Sequence, residues 1–135
     1  MTRLGASFAI ALITALQAAH PALALPNQPK EMVEIFAICS GRMEAMATRE
    51  RAHARPEAAE IERLRSTFET LLEATLPDAI ADGVGAGQAA LWRNGGWREI
   101  AGLLADVDYS LDQRRADMAQ NMLRRHIANC RALLL

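Results

Sequence analysis

The strongest constraint on this chain is a pair of cysteines, each set in an apolar helical stripe, near opposite ends of the sequence. In Glu31–Arg49, the residues Met32, Ile35, Phe36, Cys39, Met43 and Met46 recur at steps of three and four. That spacing places them on one face of an amphipathic helix, with Cys39 pointing at the core. Cys130 lies in a second such stripe with Leu123, Ile127 and Leu134. In an antiparallel pair of first and last helices the two sulfurs lie at similar levels. Cys39 is roughly 12 Å along its helix and Cys130 roughly 8 Å back from the end of its own. A Cys39–Cys130 disulfide joining the first and last helices is the expected pairing, and two buried free thiols are the alternative.

The first 24 residues bear on which alternative holds. Arg3 precedes an almost uncharged run, Ala6–Ala19; Pro21 breaks it, and Ala22-Leu23-Ala24 forms a small-x-small cleavage box. This is the pattern of a secretory signal peptide cut between Ala24 and Leu25. A retained membrane anchor is the rival reading, opposed by the proline and the box. Residues 1–24 are thus expected to be a signal peptide and 25–135 a single helical domain, periplasmic or secreted, without stable membrane insertion after cleavage. Export to an oxidising compartment favours the disulfide over free thiols.

The remaining sequence supports helices. Hydrophobic residues are 51% of the chain but aromatic residues only 4%, a balance that suits helices packed through alanine and aliphatic side chains better than a sheet. The first helix is expected to end near His53–Arg55, before Pro56. A second follows, with Ile61, Leu64, Phe68, Leu71, Leu72 and Thr75 inward and Pro77 closing it. Asp78–Asp106 keeps helical spacing but is loosened by Gly83, Gly85 and Gly87 and interrupted at Asn94-Gly95-Gly96. A kinked or broken helix is preferred there over a hairpin with an Asn-Gly turn. Asp108 or Ser110 is the expected N-cap of the last helix, whose inner face includes Leu111, Met118, Met122, Ile127, Cys130 and Leu134. The expected fold is all-α, an up-down bundle of about four helices.

The block Phe36-Ala37-Ile38-Cys39-Ser40-Gly41-Arg42, the pair Trp92-Arg93 and a cysteine just before an apolar C-terminus resemble a group of small exported helical proteins of alphaproteobacteria. The resemblance covers most of the mature chain and implies no activity, cofactor or site.

The chemistry-bearing residues are few. Fourteen of the fifteen basic residues are arginine, interspersed with sixteen acidic ones, which reads as a mixed solvated surface rather than a nucleic-acid face. Glu50-x-x-His53 is half of a di-iron motif whose second half is missing, because Leu123 precedes His126 by three. His126 opposite Met32, Met43 or Met46 is the one arrangement that suggests a cofactor, a b-type haem held between first and last helices. Methionine at helical spacing is more commonly core filler. Gly83-x-Gly85-x-Gly87 fits no nucleotide fingerprint. Ser40, Ser66 and Ser110 lack a nucleophile elbow, and no catalytic constellation or metal set is expected. Trp92 and Trp97 flank the irregular segment and form the candidate interaction surface, tryptophan being favoured at binding hot spots. The expected role is non-enzymatic binding of a protein partner, of adaptor, inhibitor or envelope-stress type. The alternative is a small-ligand or b-type haem carrier.

Overall fold

The computed structural model describes residues 25–135, so the signal-peptide reading of Met1–Ala24 lies outside the described residues. Four helices account for most of them: α1 Pro29–Ala52, α2 Ala58–Ala81, α3 Gln88–Tyr109 and α4 Gln113–Ala132. The all-α bundle and its first-to-last staple are both present: Cys39 and Cys130 form a disulfide with their Cα atoms 5.6 Å apart.

α1 is the hub. It packs extensively on α2 and on α3, whereas α4 lies mainly on α3 and meets α1 through a narrower contact. Pro29 opens α1 without the loss of a needed N–H; Glu31 in the first turn and Arg49 and Arg51 in the last complement its dipole. Its apolar stripe meets α2 and α4 in one cluster containing Phe36, Cys39, Met43, Ile61, Phe68 and Cys130.

The α1–α3 contact is made by small residues. Ala37, Gly41 and Ala45 recur every fourth residue of α1 and are all buried. A Cβ on Gly41 would lie 2.0 Å from the Arg93 carbonyl oxygen, and one on Gly96 would lie 2.3 Å from that of Ile38. The two glycines let the backbones of α1 and α3 touch. Asn94-Gly95-Gly96 therefore does not interrupt α3, because Gly96 is where the helix packs. The break within Asp78–Asp106 falls instead at Asp82–Gly87, between α2 and α3.

Both α1 and α2 end in the same hydrogen-bonded turn. After α1, Ala54 and Arg55 donate to the carbonyls of Arg51 and Glu50; after α2, Gly83 and Val84 donate to those of Ile80 and Ala79. This is the Schellman arrangement, which needs a left-handed residue. Gly83 supplies it at φ 93°, while after α1 it falls on Ala54 at φ 51°.

Two expected boundaries are corrected. Pro77 lies inside α2, which continues to Ala81; burial of Ala79 against Val33, Val84 and Ala89 holds the turn beyond the proline. The N-cap of α4 is Asp112, whose carboxylate accepts from the amides of Arg114 and Arg115. Asp108 remains within α3, and Ser110 caps its C-terminus.

Candidate interaction surfaces

The polar side chains between helices are mostly committed to one another. Arg93 on α3 donates to Glu44 of α1 and pairs with Glu69 of α2, each at 2.9 Å, so one guanidinium ties three helices. Arg49 of α1 donates through Nε to Asp108 of α3 at 2.8 Å and also pairs with Glu50. The fork holds the Asp108 carboxyl below the usual carboxylate range and raises the Arg49 guanidinium further, chiefly through their shared hydrogen bond. Glu50 is buried and accepts from both Arg49 and Arg55, which is how a buried carboxylate stays compensated.

Beside the disulfide, the Arg42 Nε donates to Glu99 at 2.9 Å, and a second Arg42 nitrogen lies 3.8 Å from the Cys130 sulfur. His126 of α4 meets the other oxygen of Glu99 at 3.2 Å. Partial burial pushes the imidazole below its ordinary value, and Arg42 and Arg125 add to this against the opposing pull of Glu99. The histidine proposed as a haem ligand is thus engaged in an Arg42–Glu99–His126 network linking three helices. Met43 is fully buried in the core cluster, against which Met32 and Met46 pack.

The other chemical candidates fall apart in space. His53 caps the C-terminus of α1 and is exposed, and its neighbour Glu50 is taken up by arginines. Ser40 is buried, with a hydroxyl that has no hydrogen-bond partner among the described residues. Among the described residues, no group of three or more His, Cys, Asp or Glu side chains is placed to hold a metal ion, and no helix is long and apolar enough to cross a membrane.

The two tryptophans separate. Trp92 packs against the Val33–Ala79–Val84–Ala89 cluster and serves the core. Trp97 stays 40% exposed and borders a hollow of about 310 Å3 with Leu91, Asn94 and Arg98. Trp97 is the more exposed of the two; Trp92 is partly buried and borders a separate hollow with Lys30, Asp82 and Gln88.

A larger apolar surface lies on α4, where an inward face was expected. Met118 is 61% and Met122 40% exposed, and Leu111 is fully so; none is part of the inner face. The buried stripe of α4 is Ala119, Leu123 and Cys130, one residue out of phase with Met118 and Met122. Because adjacent residues differ by about 100° around a helix, the two stripes face different directions. A hollow of about 720 Å3 runs along Met118, Asn121, Met122, Arg124, Arg125 and Ala128. The signal for it was the arginine pattern: Arg114, Arg115, Arg124 and Arg125 flank the methionines, and charged residues cannot share a buried face with them.

No protein-family model, curated protein or solved structure matches this chain.

Proposed function

We propose that this protein is an exported, disulfide-stapled helical scaffold that acts by binding a protein partner, as an adaptor, inhibitor or envelope-stress factor does. The observation that carries this reading is the pair of apolar outer faces: Leu91 with Trp97 on α3, and Met118 with Met122 on α4. Large apolar side chains grouped on the outside of a small helical domain are characteristic of interaction sites. The cross-helix ion pairs and the disulfide support it by holding those faces on a rigid frame, which lowers the ordering cost of association. The disulfide also favours a periplasmic or secreted location.

The alternative, a b-type haem carrier, needs His126 free to ligate. Its contact with Glu99 argues against that use.

The test is photo-crosslinking in living cells, with a photoreactive residue replacing Trp97 or Met118 and, as control, exposed Thr67 on α2. The reading expects one polypeptide captured from the first two positions and absent from the third. Equal capture from all three, or none from any, refutes it.

A further inference from the structure

The charges of this chain are divided between α4 and everything before it. α4 carries five arginines (Arg114, Arg115, Arg124, Arg125 and Arg131) and a single carboxylate, Asp117. Residues 25–112 hold nine basic and fifteen acidic side chains. α4 is therefore a strongly basic helix on an otherwise acidic domain. Its inner stripe is already used against α3 and α1 through Leu123, Ile127 and Cys130. Among the described residues its outer methionine stripe is unpartnered, and arginines precede and follow it along the helix.

From this juxtaposition we propose that the outer face of α4 is a docking site for an acidic amphipathic helix of another protein, the Met118–Met122 stripe taking its apolar residues and Arg114, Arg124 and Arg125 its flanking carboxylates, while Arg115 is paired with Asp106 of α3. This rests on the reading of the protein as a partner-binding scaffold and specifies the partner's chemistry. Methionine side chains are unbranched and polarisable, so they adapt to varied apolar knobs, while arginine forks give carboxylates directional hydrogen bonds. The occupant is a helix because Met118 and Met122 are exposed at i, i+4 spacing, the spacing at which one helix offers apolar side chains to another. A membrane-surface helix presents a broader apolar face with large aliphatic or aromatic residues. Two copies meeting α4 to α4 would bring like charges together, which is disfavoured.

The experiment uses the oxidised mature protein and observes the Met118 and Met122 methyl resonances. The probe is a synthetic helix-forming peptide about five turns long, with leucines on one stripe and glutamates beside them. A matched peptide with lysines for glutamates and phosphatidylglycerol vesicles are the comparisons. The proposal expects saturable shifts of both methyls with the glutamate peptide and binding at least roughly tenfold weaker with the lysine peptide. It also expects weakening with added salt. The variant Arg124→Glu/Arg125→Glu loses roughly tenfold in affinity or more while its melting temperature stays near that of the parent, since both side chains are exposed. Equal binding of both peptides, or of neither, overturns the proposal. So does a stronger response to vesicles, or a concentration-dependent shift of the same methyls without a peptide, which assign the face to lipid or to a second copy. If the peptide fails while Trp97 and Met118 positions still capture a polypeptide in cells, only the acidic-helix chemistry falls; if capture also fails, the binding reading falls with it.

Discussion

Replacing Gly41 with alanine adds one methyl group, and the structure predicts that it forces two helices apart. The new Cβ would lie 2.0 Å from the Arg93 carbonyl oxygen and 2.9 Å from the Trp97 amide nitrogen. A carbon–oxygen contact normally settles at roughly 3.3 Å or more, so α1 and α3 must separate by about 1 Å. No side chain can turn aside to relieve this, because both obstacles are backbone. Overpacking of a core costs about 1–3 kcal/mol, and a backbone obstacle places this site at the upper end. Alanine's better helix propensity returns about 1 kcal/mol. The expected net loss is about 2 kcal/mol, or roughly 10 °C in melting temperature for a domain of this size. Gly95→Ala is the internal control: it adds the same methyl group to α3 where nothing lies within 4 Å, and should stabilise by about 0.5–1 kcal/mol. Urea unfolding followed by helical circular dichroism measures both. A Gly41→Ala protein as stable as the parent would refute the backbone contact between α1 and α3, and with it the reason that α3 remains a helix through Gly96.

Cys39→Ser or Cys130→Ser opens a loop spanning 91 residues, and the chain-entropy relation expects a loss of roughly 4–5 kcal/mol, read as a fall in urea midpoint; two titratable thiols in freshly isolated, unfolded native protein would contradict the staple. Ala54→Gly should stabilise by about 1 kcal/mol, because the left-handed conformation at φ 51° is costly for alanine and free for glycine. For His126, the folded state holds its proton less tightly than the unfolded chain, so unfolding takes up a proton as pH falls. Stability is therefore lost on acidification through the ordinary histidine range and down to the lower folded-state value, and His126→Gln should flatten that part of the stability–pH profile. Exported protein should begin at Leu25 on N-terminal sequencing, and an intact N-terminus in a membrane fraction would favour an anchor.

What could be read from residues alone depended on local rules. Three-and-four spacing around Cys39 and Cys130 was sufficient for two helices and their staple, because that face must be buried and a cysteine on it must meet what is buried opposite. Pro56 and the run Gly83-x-Gly85-x-Gly87 marked real breaks, since they act through their own backbone. Pro77 and Asn94-Gly95-Gly96 are equally suspect by propensity but lie within helices, because Ala79 and Gly96 gain tertiary contacts that outweigh a local cost. The surface on α4 shows the same division. Residues 118–130 contain two apolar stripes one position apart, and periodicity alone does not say which one is buried. The tertiary structure chose Ala119, Leu123 and Cys130, because α4 lies at the edge of the bundle and has one broad neighbour, α3, rather than two. A helix in that position buries a narrow stripe and leaves the other, with its methionines and arginines, facing outward.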